Sequence, residues 1–291
     1  MGAQGTAMEI IRIPVIMQQT SRGHFLRGRS IGFVPTMGAL HRGHLSLVRR
    51  ARDENDVVCV SVFVNPLQFG QNEDLGRYPR DPEGDMEKLR REGADILFMP
   101  DEKALYHDSF STYVAVRGLS DKMCGAFRPG HFTGVATVVC KLFGIVSPTR
   151  AYFGQKDYQQ TVVISRMRED LNMSTELIVC PTVREEDGLA MSSRNAYLNP
   201  AERNAATAIF KAISAAADMV ASGAAAAPEI HEEMQRILRS EALITEIQYA
   251  GVYDPDTLDP LDNLKKENLL AVAVKIGGTR LIDNMLVEKK P

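Results

Sequence analysis

The stretch that decides the fold is Pro35-Thr36-Met37-Gly38-Ala39-Leu40-His41-Arg42-Gly43-His44. A short apolar run from Ile31 to Val34 precedes it and predicts a buried strand. After His44 apolar residues recur at helical spacing, and a second apolar run from Val57 to Val64 predicts another buried strand. A strand, a glycine-containing turn, a helix and a strand in this order indicate a right-handed crossover between parallel strands.

The turn therefore lies at the carboxyl end of the first strand, where open parallel sheets bind ligands. The predicted helix begins near Gly43, so we expect its free N–H groups and its positive dipole end to face that crevice. His41 and His44 lie on one side of the helix entry and can donate hydrogen bonds to phosphoryl oxygens. The alternative is a polar loop with two incidental histidines. The preceding strand, the following helix and the two glycines favour a nucleotide site.

Composition and charge limit the class of protein. A chain of 291 residues with 44% hydrophobic and 24% charged residues is typical of a soluble globular protein with one large or two smaller domains. The net charge of −3 does not indicate a nucleic-acid surface, and no continuous apolar run reaches the length of a membrane span. We therefore expect neither nucleic acid nor membrane as a partner.

The ends and the cysteines add two expectations. Residues Met1 to Ala7 lack the segments of a secretion signal, so we expect a loose extension with Met8 as a candidate natural start. The four cysteines show no metal-type spacing and are expected to be reduced thiols in a cytoplasmic protein.

Further strands and helices predict the domain organisation. Strands alternate with helices five times up to residue 180, which predicts an α/β fold with a Rossmann-like, doubly wound parallel sheet. The polar segment Val183–Gly188 is expected to be a flexible hinge, and later helices followed by strands predict a smaller α+β domain that caps the crevice. The predicted domains are residues 1–183 and 184–291, with a linker at Ser222–Ala227 between two helices of the second domain.

Polar residues follow several of the predicted strands. Asn65 and Gln68 come after the second strand, where neutral amides can bind hydroxyl and carboxylate oxygens, although a polar turn is the alternative. Gly154 opens a second strand–turn–helix arrangement, in which Lys156 suits phosphates and Asp157 suits a ribose hydroxyl or a helix cap.

Three further positions stay open from the residues alone. The hydroxyls and guanidinium in Met191–Arg194 can surround a triphosphate, or the segment can be a serine-rich loop that caps a helix. Asp85 lies near a predicted helix start, where a carboxylate is favourable in any case. His131 is equally compatible with a substrate contact and with a helix cap.

The motifs together resemble one enzyme family. His41-Arg42-Gly43-His44 resembles the H-x-G-H signature of the nucleotidyltransferase superfamily, and the longer string is similar to that of the pantothenate synthetase (pantoate–β-alanine ligase) family. Asn65 and Gln68 stand in a match to the family string Phe-Val-Asn-Pro-x-Gln-Phe. Residues 154–160 match Gly-x-Lys-Asp-Tyr/Phe-Gln-Gln, with glutamine at position 155 where most members have glutamate. Met191–Arg194 resembles the second superfamily signature, Lys-Met-Ser-Lys-Ser, with arginine in the final basic place.

This resemblance implies a reaction and its ligands. ATP, (R)-pantoate and β-alanine would give pantothenate, AMP and pyrophosphate through a pantoyl adenylate, as a step towards coenzyme A. It also implies a cytoplasmic homodimer and Mg²⁺ with ATP. An aspartate aligned with Asp85 would help to hold the metal, although the neighbouring acidic position of relatives is Gly84 here.

The resemblance also assigns residues. Those assigned to ATP are Pro35, Thr36, Met37, Gly38, His41, Gly43, His44, Gly154, Lys156, Asp157, Val183, Met191, Ser192, Ser193 and Arg194. Those assigned to pantoate and β-alanine are Asn65, Gln68, His131 and Gln160. The catalytic roles fall to His41, His44, Lys156 and Arg194, with His44 acting as a proton donor or only as a hydrogen-bond donor.

Two alternatives to the ligase remain at this point. An adenylyltransferase acting on a phosphorylated nucleotide or pantetheine would prefer basic residues in place of Gln68 and Gln160. A non-catalytic nucleotide-binding module would tolerate the loss of His44 and Lys156, and both residues are present.

Overall fold

A computed structural model describes residues 8–71, 73–223 and 226–289. Within these residues the chain forms two compact units. The first comprises Met1–Ser120, Arg128–Gly154 and Val163–Pro181, and the second comprises Asp121–Phe127, Gln155–Val162 and Thr182–Pro291. Residues 1–7, which are expected to be a loose extension, lie outside the described residues. So do residues 224 and 225 of the expected linker. The boundary between residues 183 and 184 stays a prediction.

The first unit is built on a parallel sheet. Its strands are β1 (Glu9–Ile11), β2 (Ile31–Thr36), β3 (Val57–Val62), β4 (Ile96–Phe98), β5 (Arg150–Gly154) and β6 (Glu176–Cys180). They lie in the order β1-β4-β3-β2-β5-β6, and every neighbouring pair is parallel. The predicted α/β class with a parallel sheet is therefore confirmed.

Helices cover both faces of this sheet. The side chains of a strand alternate between its two faces, so apolar residues on each face pack against helices. The helices of this part of the chain are α1 (Pro14–Leu26), α2 (Arg42–Glu54), α3 (Pro82–Arg91), α4 (Glu102–Leu105), α5 (Cys124–Phe127), α6 (His131–Val146) and α7 (Tyr158–Asp170). Of these, α5 belongs to the second unit, and α7 begins there and continues in the first. Val34 and Tyr152 share a buried cluster with residues of α2 and α3. Phe153, next to Tyr152, points to the opposite face and contacts Phe143 of α6.

The strand order places a reversal point at β2. This strand pairs with β3 on one side and with β5 on the other, so consecutive crossovers run outwards in opposite directions. Open parallel sheets bind ligands outside the carboxyl ends of the strands at such a point. Those ends are Thr36 of β2 and Gly154 of β5, which both precede motifs identified in the sequence.

The second unit contains a smaller antiparallel sheet. Its strands are β7 (Ile244–Tyr253), β8 (Glu267–Ile276) and β9 (Thr279–Glu288), in the order β7-β8-β9. Its further helices are α8 (Pro200–Ala205), α9 (Thr207–Ser222) and α10 (Ala227–Arg239). Apolar residues of α9 and α10 share one buried core with β8. The predicted α+β domain is confirmed as a fold. The sequence predicts one helix from Asn199 to about Ala221, which the structure divides at Ala206. It also predicts short strands at Ile247–Val252, Leu269–Ile276 and Arg280–Asp283, and each is longer in the structure.

The stretch Pro200–Ser222 is long and apolar enough to cross a membrane by length and composition, with a mean hydropathy of 1.3. It is not a continuous apolar run, because charged residues interrupt it. Its Ile209, Ile213 and Val220 are buried in the core of the second unit. We therefore interpret α9 as a core helix, a kind of helix that meets the same length and composition criteria.

Candidate active site

The turn after β2 is held by its own side chains and by a distant carboxylate. Thr36 Oγ1 donates to Ser61 O at 2.8 Å and accepts the N–H of Gly38 at 3.2 Å. Gly38 and Ala39 both have a positive φ, 84° and 50° respectively, which is unusual for alanine. Asp85 Oδ2 accepts the N–H of Ala39 at 2.8 Å, so a buried acid of α3 fixes the strained turn.

His41 and His44 together cap the N-terminal end of α2. His41 Nδ1 accepts the N–H of Gly43 at 3.2 Å, and His44 Nδ1 accepts the N–H of His41 at 3.4 Å. The ring centroids are 4.1 Å apart. Because each Nδ1 accepts a hydrogen bond, each neutral ring carries its proton on Nε2, where it is a hydrogen-bond donor. The helix cap thus sets the tautomer of both rings.

One N–H group at the helix start, that of Gly43, is bonded to His41 and does not face the crevice. The N–H groups of Ala39 and Leu40, in the turn before the helix, are bonded to Asp85. The donors that the histidine pair itself supplies are therefore the two Nε2–H groups. Most helices are capped by serine, threonine, aspartate or asparagine. A histidine cap differs because one ring nitrogen accepts the backbone N–H while the other still carries a proton that can be donated.

Gln68 lies on a short 3₁₀ turn, Pro66–Gln68, that follows β3. Its Oε1 accepts Asn65 Nδ2 at 3.1 Å, and its Nε2 lies 3.0 Å from Met37 Sδ in the turn after β2. Asn65 is 1% exposed and also donates to Gly134 O, while its Oδ1 accepts the Tyr106 hydroxyl at 2.9 Å. The buried side chain of Asn65 therefore holds the side chain of Gln68 in place.

His131 is the first residue of α6, where Gly130 occupies the cap position with φ 81°. Its Nδ1 is 2.8 Å from the carbonyl oxygen of Gln68, and its Nε2 is 3.1 Å from Arg128 Nη1. Arg128 also donates to Gln68 O and pairs with Glu73. Burial raises the pKa of Glu73, but hydrogen bonds and charge from Arg128 outweigh it and leave that pKa lowered. His131 thus contacts the backbone of the Gln68 turn.

Gly134 allows α6 to approach this turn closely. A Cβ atom at this position would lie 2.2 Å from the carbonyl oxygen of Leu67 and 2.6 Å from the nitrogen of Gln68. Both clashes are with backbone, which cannot rotate away. The approach therefore requires glycine on this side of the helix.

In the second unit, Lys156 lies on a 3₁₀ turn, Gln155–Asp157, that leads into α7. Its side chain is 18% exposed, and its Nζ lies 3.9 Å from Asp157 Oδ1. Asn284 of β9, which belongs to none of the sequence motifs, contacts the backbone of this turn. Nothing local marks Asn284, because its contacts cross 128 residues of chain.

Two adjacent glutamines of α7 differ in their contacts. Gln159 is buried, accepts the N–H of Cys124 at 2.9 Å and donates to Lys122 O at 2.7 Å. Gln160 is half-buried, and its side chain makes no hydrogen bond to the other residues that the structure describes. Gln159 is therefore structural within the second unit, whereas the amide of Gln160 has capacity for a ligand.

The segment expected to be a flexible hinge forms a hairpin, and its flexibility stays a prediction. Met191 donates its N–H to Val183 O at 3.0 Å, and Glu185 donates to Leu189 O at 2.8 Å. The hairpin thus brings together two residues that the resemblance assigns to ATP. Ser192 Oγ then accepts the N–H of Arg194 at 3.2 Å, so the Met191–Arg194 loop begins on a capped 3₁₀ turn.

Two arginines hold this hairpin. Arg184 donates to both carboxylate oxygens of Asp283, at 2.5 and 3.1 Å, and lies over the Phe210 ring at 4.5 Å. Burial raises the pKa of Asp283, and Arg184 opposes that effect. Arg203 of α8 donates to Asp187 at 2.7 Å and lowers the pKa of that carboxyl. These pairs account for the order of a segment rich in charged residues.

The remaining candidates for chemistry are groups of metal-binding side chains and the cysteines. Among the described residues there is no group of three or more His, Cys, Asp or Glu side chains that could hold a metal ion. The four cysteines are unpaired thiols, and burial raises the pKa of Cys59, Cys140 and Cys180. Cys59, Cys140 and Cys180 are therefore poor nucleophiles at neutral pH.

The sequence of this chain is similar to those of one group of enzymes. The family model described as pantoate-beta-alanine ligase matches residues 9–286. The pantothenate synthetase of Thermodesulfovibrio yellowstonii is 60% identical over 281 residues, which cover 97% of this chain and 100% of the relative. The pantothenate synthetase of Sulfurihydrogenibium is 52% identical over 96% of this chain and 99% of the relative.

Solved structures agree with the sequence comparisons. The pantothenate synthetase of Thermus thermophilus has a TM-score of 0.91 and 44% identity, with 98% of this chain and 100% of that one covered. The pantoate-beta-alanine ligase of Francisella tularensis, solved with beta-gamma ATP and beta-alanine, has a TM-score of 0.79 and 36% identity. The match covers 96% of this chain and 98% of that structure.

Proposed function

The chain belongs to the pantoate–β-alanine ligase family, and on this premise we propose how its residues serve the reaction. The protein joins pantoate to β-alanine with cleavage of ATP to AMP and pyrophosphate, through a pantoyl adenylate. A carboxylate acylates an amine poorly, whereas an acyl adenylate has a good leaving group. The carboxylate of pantoate is itself the nucleophile, so positioning replaces an enzyme nucleophile.

The histidine pair supplies donors to the triphosphate. Two Nε2–H groups, fixed by the helix cap, are suited to phosphoryl oxygens that gain charge as the adenylate forms. This geometry is the observation that carries the proposal. His44 can act as a hydrogen-bond donor in the neutral state that the cap sets, and a full proton transfer is not needed for that role.

The second unit supplies the cationic residues. Lys156 and Arg194 are assigned to the phosphates and the departing pyrophosphate, together with the hydroxyls of Ser192 and Ser193. The main-chain contact between Val183 and Met191 supports a nucleotide-binding role for the hairpin. The remaining residues proposed to contact ATP are Pro35, Thr36, Met37, Gly38, Gly43, Gly154 and Asp157.

Pantoate is assigned to Gln68 and Gln160. A neutral amide binds both hydroxyl and carboxylate oxygens without adding a charge that would compete for the triphosphate. Asn65 and His131 hold the side chain and the carbonyl oxygen of Gln68 respectively, which supports a role behind the substrate. Neutral amides at both positions also favour the ligase over an adenylyltransferase with a phosphorylated acceptor.

Magnesium is proposed as a companion of ATP. Both oxygens of Asp85 accept backbone N–H groups, and its side chain is 3% exposed. Asp85 therefore does not fit the role of a direct metal ligand. Mg²⁺ in nucleotide sites takes phosphate and water oxygens as most of its ligands. We further propose a cytoplasmic homodimer, for which the family resemblance and the unpaired cysteines are the support.

The decisive experiment is single-turnover formation of pantoyl adenylate by His44→Ala. We expect a fold that is unchanged and a rate about 100-fold lower, the scale for loss of one charge-stabilising donor. His107→Ala, an exposed histidine of the first unit, is the control and should match the wild type. A His44→Ala rate within a few-fold of wild type would remove His44 from the mechanism. AMP release that requires pantoate and β-alanine together tests the overall reaction.

A further inference from the structure

Asn284 is buried in the middle of β9, at 4% exposure, and its side chain points to a turn far away in the sequence. Its Nδ2 donates to Gln155 O at 2.9 Å and to Lys156 O at 2.8 Å. Both partners are carbonyl oxygens, so the orientation of the amide is fixed by chemistry: only the NH₂ group can face them. One side chain thus binds two consecutive peptide groups of the Lys156 turn.

The same part of β9 also holds the hairpin that precedes the Met191–Arg194 loop. The carbonyl oxygen of Asn284 accepts Arg184 Nη2 at 3.3 Å, next to the buried pair between Arg184 and Asp283. Two consecutive residues of one strand therefore contact the Lys156 turn and the hairpin that leads to the Met191–Arg194 loop. A well-packed strand is a firm support for such segments.

We propose that Asn284 is a positioning residue for adenylation, which holds the backbone of the Gln155–Asp157 turn so that Lys156 presents its ammonium group to the phosphates of ATP. The proposal rests on the proposed role of Lys156. Lysine has a long, flexible side chain, so the direction of its ammonium depends on a fixed backbone. The two donors of Asn284 supply that fixation without adding a charge beside the lysine.

The test compares Asn284→Leu with a matched control in the same sheet. Leucine keeps roughly the volume of asparagine and removes both donors. Asn268 of β8 is fully buried, and its amide bonds the backbone N–H and carbonyl of Lys265, so Asn268→Leu removes a comparable pair of contacts. Thermal unfolding of both variants shows how much stability each loses. Two rates are then measured: adenylate formation in a single turnover, and β-alanine attack on supplied pantoyl adenylate.

We expect Asn284→Leu to slow adenylate formation about tenfold and to leave the attack by β-alanine within about twofold, because the phosphates of ATP react only in the first step. Asn268→Leu should leave both rates within about twofold. Asn284→Ala, which also removes both donors, should show the same split and serves if the leucine variant does not fold. Equal slowing of both steps, or an effect no larger than that of Asn268→Leu, would overturn the proposal.

A double-mutant cycle with Lys156→Ala separates this inference from the proposed function. If Asn284 acts through Lys156, adding Asn284→Leu to Lys156→Ala should slow adenylation by no more than about twofold further. Multiplying effects would show that Asn284 acts independently of Lys156 and would overturn the inference alone. If Lys156→Ala by itself left adenylation at the wild-type rate, the assignment of Lys156 would fail, and the inference would fail with it.

Discussion

The carboxylate oxygen Oδ1 of Asp85 accepts the backbone N–H of Leu40 at 2.7 Å, while Oδ2 accepts that of Ala39. Burial raises the pKa of Asp85, and these two N–H groups oppose that effect. Gly38 lies against the same carboxylate, since a Cβ atom there would be 3.0 Å from Oδ2. The turn that leads to the histidine pair is therefore shaped by an acid on α3.

Asp85→Asn is expected to slow adenylate formation about tenfold and to lower the free energy of unfolding by about 1–3 kcal/mol. The amide has one oxygen, so its NH₂ group must face a backbone N–H that then lacks an acceptor. Single-turnover rates and urea unfolding measure the two effects. Asp81→Ala, which removes the side-chain cap of the same helix, is the control that should lose stability without the loss of rate. A variant whose defect is instead a higher requirement for Mg²⁺ would identify Asp85 as a metal ligand.

Gln160→Ala is expected to weaken pantoate binding and to leave ATP binding nearly unchanged. Unpaired oxygens of a bound acid cost about 1–3 kcal/mol each, which corresponds to roughly 5- to 150-fold in the dissociation constant. Calorimetric titration with each ligand measures the change. The neighbouring Gln159→Ala should lower the melting temperature, because it removes the acceptor of the Cys124 N–H and one of the two hydrogen bonds to the Lys122 carbonyl. Equal weakening of both ligands by Gln160→Ala would indicate general damage instead of a pantoate contact.

Arg194→Ala is expected to slow the first half-reaction much more than the second. Pyrophosphate is present only while the adenylate forms, and an interaction made only in one transition state affects only that step. Supplying synthetic pantoyl adenylate with β-alanine isolates the second step. Arg239→Ala, on the exposed surface of α10, should change neither rate. Equal impairment of both steps by Arg194→Ala would contradict its assignment to pyrophosphate.

Asp254 is expected to make the second unit sensitive to acid. Burial raises its pKa, but Lys265 and the N–H groups of Thr257 and Asp256 outweigh burial and lower it from 3.8 to about 2. A lowered pKa stabilises the fold above the ordinary value, and that contribution is lost as the pH falls through about 2. Asp254→Asn should therefore be less stable at neutral pH and show a flatter stability profile between about pH 4 and pH 2.

Denaturant unfolding at a series of pH values measures this effect. Asp262→Asn, an exposed carboxylate in the same connection between β7 and β8, is the control and should follow the wild-type profile. An Asp254→Asn profile that runs parallel to the wild type would show that the Lys265 pair does not contribute to stability.

The central strands could be predicted from the sequence because their residues are apolar on both faces. β2 and β3 are buried almost throughout, so each appears as a continuous apolar run. β1 and α1 were not predicted: the strand has three residues, and α1 leaves Val15, Ile16 and Phe25 exposed, which blurs its helical pattern. Local pattern identifies an element only when burial follows its period.

The candidate site divides in the same way. His41, Lys156 and Gln160 lie in short strings whose order is visible along the chain. Residues that hold those strings in place lie far away: 45 residues separate Asp85 from Leu40, and 128 separate Asn284 from Lys156. Such pairs depend on tertiary packing, which a local pattern does not record.

The hairpin contacts of the expected hinge could not be predicted for a related reason. Residues 183–188 are polar, which favours a flexible segment when the chain is considered alone. The structure orders them, because Arg184 finds Asp283 across 99 residues and Asp187 finds Arg203. Charge is thus compatible with order wherever a partner is available.

The close approach at Gly134 has a consequence for changing the substrate of this enzyme. Since α6 touches the backbone of Leu67, the position of Gln68 is coupled to the helix that supports it. If Gln68 contacts pantoate as proposed, replacing Gln68 alone would change the chemistry offered to the acid but not the position of the turn, which lies against α6. Bulkier acids would therefore require the turn and the helix to change together, and single-site libraries at Gln68 should yield altered polarity preference before altered size preference.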